Sequence, residues 1–126
     1  MTNALVGCMS SPASIVVSTL ETKIKDFDSK KYIDPVSNLK NSKVFLFSGL
    51  KDTTVNPQVV HKSEELYKKF GADVKTEYTL NAVHTQPTDD SSLGSCTVAG
   101  SPYISNCKYN GAFEALNFIS SRAPLN

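Results

Sequence analysis

The strongest constraint on this chain is the uninterrupted run Lys43-Val44-Phe45-Leu46-Phe47, closed by Ser48-Gly49 and followed shortly by a helix with both of its ends punctuated. A run without polar alternation predicts a strand covered on both faces, the pattern of parallel sheets flanked by helices. The helix begins at Asn56, a good capping residue, with Pro57 at the first helical position. Val59, Leu66, Tyr67 and Phe70 line one face, and Gly71 supplies the stop. A second strand follows over Val74 to Leu80, alternating imperfectly as at or near a sheet edge. Strand, helix, strand in that order predicts a parallel pair joined by a right-handed crossover.

Upstream, Ala13, Val16, Val17, Leu20, Ile24 and Phe27 recur at helical spacing, which predicts a helix from Ser11 to Phe27 with Ser11 as cap and Pro12 in the first turn. Asp34 to Asn41 forms a polar connection into the first strand. Downstream, Asn81 to Lys108 reads as one long loop, an arrangement uncommon in compact domains unless the loop is functional. The chain closes with a helix from Gly111 to Arg122, capped by Asn110 and stopped by Pro124. This order is that of an α/β fold. At 126 residues and 40% hydrophobic content the chain is one domain or a piece of one. Two parallel strands leave both edges unpaired, so further structure is expected around them.

Several function classes drop out early. The formal net charge is +1 and no basic run is interleaved with aromatics, so no nucleic-acid partner is expected. The longest apolar runs fall far short of the roughly 20 residues needed to span a bilayer. The start MTNALVGCMSSP lacks the cationic and apolar regions of a signal peptide. No CxxC spacing or clustered histidine suggests a metal site, and no cofactor is implied. There is no N-x-S/T sequon. Cys96 and Cys107 bracket a loop with little apolar matter, TVAGSPYISN, which a disulfide would suit; two reduced thiols are the alternative. Cys8 is left over, and an odd cysteine in an exported chain suggests a partner outside this sequence. The oligomeric state has no signal here.

In open parallel sheets, reactive groups collect beyond the carboxyl ends of the strands. Asp52 follows the first strand by a short turn, and His84 follows the second. Acid then histidine, after consecutive strands, is the order of the last two members of an α/β-hydrolase triad. Each also has an ordinary reading, Asp52 as a turn former and His84 as a loop residue. His61 is expected on the exposed flank of the capped helix, a solvated surface residue one turn before Glu65. Asp89 and Asp90 lie beside the histidine rather than at a strand end. Lys62, Glu64, Glu65, Lys68 and Lys69 read as a wet helix face. No G-x-S-x-G pentapeptide occurs anywhere in the sequence, so the nucleophile elbow is absent. Ser10, Ser11, Ser14 and Ser48 lack that context and read as structural. Cys8 lacks it too.

The runs Cys8-Met9, Ile33-Asp34-Pro35, Ser48-Gly49-Leu50-Lys51-Asp52-Thr53-Thr54-Val55, His84-Thr85-Gln86-Pro87-Thr88-Asp89 and Ser101-Pro102-Tyr103-Ile104-Ser105-Asn106-Cys107 resemble secreted poly(3-hydroxybutyrate) depolymerases, α/β-hydrolase serine esterases, particularly their single-domain fungal type. The similarity covers nearly the whole chain. It implies that Asp52, in G-x-x-D-T-T-V, is the triad acid and that His84, in H-T-x-P-T, is the base. It also implies a Cys96–Cys107 disulfide and a partner for Cys8 further upstream. Members of the family carry the serine elbow ahead of the position of Met1 and an oxyanion-hole strand beyond Asn126. Residues 1–126 are thus expected to form an incomplete α/β-hydrolase domain, with Met1 an internal methionine and the chain inactive by itself. The implied parent is a secreted hydrolase of hydroxyalkanoate polymer or small ester substrates. The alternative is a non-catalytic extracellular fragment, acting as a binding or structural module.

Overall fold

The computed structural model describes residues 8–121 of the chain. Its centre is the strand–helix–strand unit: β1 (Lys43–Phe47), α2 (Pro57–Lys69) and β2 (Asp73–Glu77), with α1 (Val17–Ser29) preceding them. β1 and β2 pair in parallel, Lys43 opposite Asp73 and Phe47 opposite Glu77. The punctuation of α2 is as its sequence indicates. The Asn56 side chain accepts a hydrogen bond from the Gln58 N–H at 2.9 Å, Pro57 opens the helix, and Gly71 takes a φ of 78° just past its end.

Two layers flank the strands. α1 packs on α2, and α2 packs on both β1 and β2. α3 (Gly111–Ser120), capped by the Asn110 side chain, packs against β1. Because side chains alternate along a strand, Phe45 and Phe47 share the α3 face with Lys75, which pairs with Glu114 of α3 at 2.9 Å. Val44, Leu46 and Val74 fall on the other face, toward α2.

Four expectations need correction. The first helix does not begin at Ser11: a 3-10 turn at Pro12–Ser14 is followed by extended backbone at Ile15 and Val16, and α1 starts at Val17 without a side-chain cap. A proline-led turn satisfies its own carbonyls and then stops, so the apolar periodicity ran across a break. β1 has a helix against each face but is only partly buried along its length, because α3 leaves a groove over Phe45 and Phe47. The second strand ends at Glu77 rather than Leu80. Finally, the long loop holds two short strands, β3 (Gln86–Thr88) and β4 (Ile104–Asn106), paired in parallel. Three residues centred on Pro87 or Ser105 are too few for any periodicity to show. Arg122, Pro124 and Met1 lie outside the described residues.

The described part has a small core. Val17 and Ala82 are its buried hydrophobic residues, with Pro87 fully enclosed between the loop and α3. Phe113, Leu116 and Ile119 of α3 are half exposed or more. Among the described residues no helix is long and apolar enough to cross a membrane.

Candidate active site

Past their last paired residues, the two central strands keep running side by side. Ser48 N–H donates to the Glu77 carbonyl at 3.2 Å, Leu50 N–H to Leu80 at 2.9 Å and Lys51 N–H to Ala82 at 3.0 Å. The approach is closest at Gly49, which has no side chain to hold Ala82 away: a Cβ there would sit 2.1 Å from the Ala82 carbonyl oxygen. This contact brings the two loops, and hence Asp52 and His84, together.

The Asp52 side chain is 10% exposed and fully engaged. Its Oδ1 accepts from the N–H groups of Thr54 and Val55, each at 2.9 Å, a turn closed by the carboxylate itself. Its Oδ2 is 2.9 Å from His84 Nδ1. A carboxylate can only accept, so Nδ1 carries the proton and donates it. That tautomer leaves the lone pair on Nε2, which has no partner among the described residues. Both residues line a cavity of about 330 Å³ with Phe47, Ser48, Val55, Val60, Thr85, Gln86 and Tyr103. A larger cavity of about 620 Å³, between α1 and α2, contains neither of them.

The histidine segment is tied down on both sides. Val83 N–H donates to the Cys96 carbonyl at 3.0 Å, Thr85 Oγ1 and Ser105 Oγ share a hydrogen bond of 2.8 Å, and Gln86 N–H donates to Tyr103 at 2.8 Å. Cys96 and Cys107 form a disulfide across this loop. Cys8 is a free, exposed thiol in the chain.

The remaining sequence candidates lie elsewhere. His61 is not solvated: its ring packs on Tyr78 with centroids 4.4 Å apart, and its buried Nε2 has no hydrogen-bond partner. The helical period turns that position toward the end of β2, where Tyr78 covers it. Burial beside the Glu64 carboxylate pushes the Tyr78 phenol well above its usual range. Glu64 pairs with Lys68 at 2.6 Å, which holds its carboxyl below the ordinary value. Asp90 closes a local turn on Ser92, whose hydroxyl and N–H lower its carboxyl in the same way. Asp89 is exposed. No group of three or more potential metal ligands occurs among the described residues.

Sequence reasoning set Ser48 aside as structural and gave Thr85, Ser105 and Tyr103 no individual role. Ser48 is 4% exposed and its hydroxyl is buried without a partner. None of these carries a periodic or spacing signal. Gly49 does, since a glycine at a strand end marks close backbone approach.

A parallel strand pair with helices on both faces, and an acid and a histidine above its carboxyl end, define the chain as part of an α/β-hydrolase fold. No family model matches the sequence. Individual proteins do. The chain is 40% identical over 119 residues to a poly(3-hydroxybutyrate) depolymerase of Delftia acidovorans, covering 93% of this chain and 24% of that protein. It is 37% identical over 107 residues to a polyhydroxybutyrate depolymerase of Talaromyces funiculosus, covering 82% of this chain and 31% of that one. The solved PHB depolymerase of Penicillium funiculosum superposes with a TM-score of 0.79 at 31% identity, over 98% of this chain and 39% of its own. A PHB depolymerase solved in complex with an R3HB trimer matches equally well, over 97% and 38%. The family to which these residues correspond is that of the poly(3-hydroxybutyrate) depolymerases, and the chain spans about a quarter to two fifths of the length of these relatives.

Proposed function

We propose that these 126 residues are a segment of an exported serine ester hydrolase acting on hydroxyalkanoate polymer or oligomers, with Asp52 as triad acid and His84 as general base. The observation that carries this reading is the 2.9 Å hydrogen bond from His84 Nδ1 to a carboxylate already held by two backbone N–H groups. In that arrangement Nε2 takes the proton of a serine hydroxyl as it attacks the ester carbonyl, then returns it to the departing alcohol. Asp52 keeps the imidazole in the right tautomer and stabilises the imidazolium that forms. The serine and the oxyanion donors are supplied by residues outside this sequence, which contains no G-x-S-x-G. The domain carrying acid and base is incomplete, and the segment alone does not turn over ester. The disulfide supports an oxidising compartment.

A chimera tests the assignment. The matching segment of the Talaromyces funiculosus relative is replaced by this chain, and hydrolysis of R3HB trimer is measured. The chimera is expected to hydrolyse the trimer, and Asp52→Asn to lower kcat by about 10⁴ through the wrong tautomer. A rate within tenfold of the unsubstituted chimera would remove Asp52 from the mechanism. The missing elbow favours one other reading, a non-catalytic module. Labelling of the 126-residue chain by a fluorophosphonate would contradict that module and also the absence of a nucleophile.

A further inference from the structure

Tyr103 takes no part in the acid–base pair, yet the loop holds it in an unfavourable place. Its φ is 60°, the left-handed region that a bulky residue rarely enters. Two backbone hydrogen bonds keep it there, from its N–H to Gly100 at 2.7 Å and from Gln86 N–H to its carbonyl at 2.8 Å. The other non-glycine residues with positive φ, Lys31, Asn41 and Lys108, lie at turns and bends and line no part of this cavity. Core packing does not explain the conformation, because Tyr103 is 54% exposed. What the conformation achieves is to make Tyr103 a wall of the cavity that contains Asp52 and His84.

We infer that Tyr103 is a substrate-contact residue, its ring receiving the aliphatic part of a hydroxyacyl ester whose carbonyl lies at His84. This rests on the function proposed above and names a residue that selects the substrate. Of the other lining residues Phe47, Val55 and Val60 are apolar, whereas Ser48, Thr85, Gln86 and the Asp52–His84 pair are polar. A ligand alternating short aliphatic stretches with ester oxygens matches such a lining. Tyrosine adds an apolar face and a hydroxyl that can donate to an ester oxygen. The volume of about 330 Å³ is at the small end for ligand sites and favours slender chains. The disulfide and the Thr85–Ser105 bond hold the loop in place before a ligand arrives.

The experiment titrates the 126-residue chain with millimolar R3HB trimer while NMR follows the ring signals of His84. In the parent these signals shift. Tyr103→Gly melts at or above the parent temperature, since glycine enters this φ freely, and binds at least about fivefold more weakly. Tyr103→Phe, which keeps the ring, stays within about threefold of the parent. If Tyr103→Gly binds like the parent, or melts more than about 5 °C lower, the inference is overturned while the hydrolase reading stands. If the trimer leaves the His84 signals of the parent unmoved, the inference falls together with the proposed substrate class.

Discussion

Replacing Gly49 with alanine should pull the acid and the histidine apart. The new Cβ would fall 2.1 Å from the Ala82 carbonyl oxygen, 2.6 Å from its carbon and 2.8 Å from its Cβ. All three are backbone atoms or a Cβ, so no rotamer change relieves the clash, and the two loops must separate by roughly an ångström. That stretches the Lys51–Ala82 and Leu50–Leu80 hydrogen bonds, now 3.0 and 2.9 Å, beyond useful geometry. Two such bonds at about 1 kcal/mol each, with about 1–3 kcal/mol for overpacking, give a loss of about 3–5 kcal/mol. His84 lies two residues beyond Ala82 and moves with it, so its bond to Asp52 opens as well. Urea denaturation reads the stability, and a long-range proton–nitrogen correlation reads the tautomer. The parent should show the proton on Nδ1 alone; the variant should show a mixture. Gly94→Ala is the control, because a Cβ there meets nothing within 4 Å. Should Gly49→Ala unfold within about 0.5 kcal/mol of the parent and keep the single tautomer, the loops do not depend on this contact, and the account of how the site is assembled is wrong.

Other consequences are open to measurement. Reducing the Cys96–Cys107 bond frees a loop of sequence separation 11 and should cost about 3 kcal/mol, seen as a lower melting midpoint with reductant; an unchanged midpoint would refute a stabilising role. Tyr78→Phe removes a buried hydroxyl that lies beside the Glu64 carboxylate without a well-formed hydrogen bond to it, so it should be neutral or stabilising at pH 7. Because the folded Tyr78 holds its proton more tightly than the unfolded chain does, stability is present below about pH 10 and declines as pH rises further; Tyr78→Phe should flatten that decline, and equal slopes in denaturation series would speak against it. Asn56→Ala should cost about 1 kcal/mol in urea denaturation through loss of the α2 cap, whereas no loss would mean the cap is redundant with Pro57.

Much of the scaffold was legible because its signals are local. The apolar run at Lys43–Phe47, the Asn56-Pro57 start and the Gly71 stop each act through a few neighbouring residues, and α2 and β1 lie where these residues put them. The same kind of signal failed at Ser11–Val16, where a helical period continued across a proline-led turn. It failed again at His61, whose surroundings depend on Tyr78, a residue separated from it by the rest of α2 and all of β2.

From the order of its residues alone, the chain's α/β class, its capped central helix and the placement of an acid and a histidine after successive strands could be derived, since each follows from chain-local conformational preference and from the rule that loops at one end of a parallel sheet converge. Tertiary structure decided the distance between them. The 2.9 Å bond exists because Gly49 and Ala82 touch, the histidine loop is pinned to a disulfide loop by Thr85 and Ser105, and Tyr103 is held facing the same cavity. Those contacts join residues far apart in sequence, through short strands and a side chain that is missing at one position, and no periodicity records them.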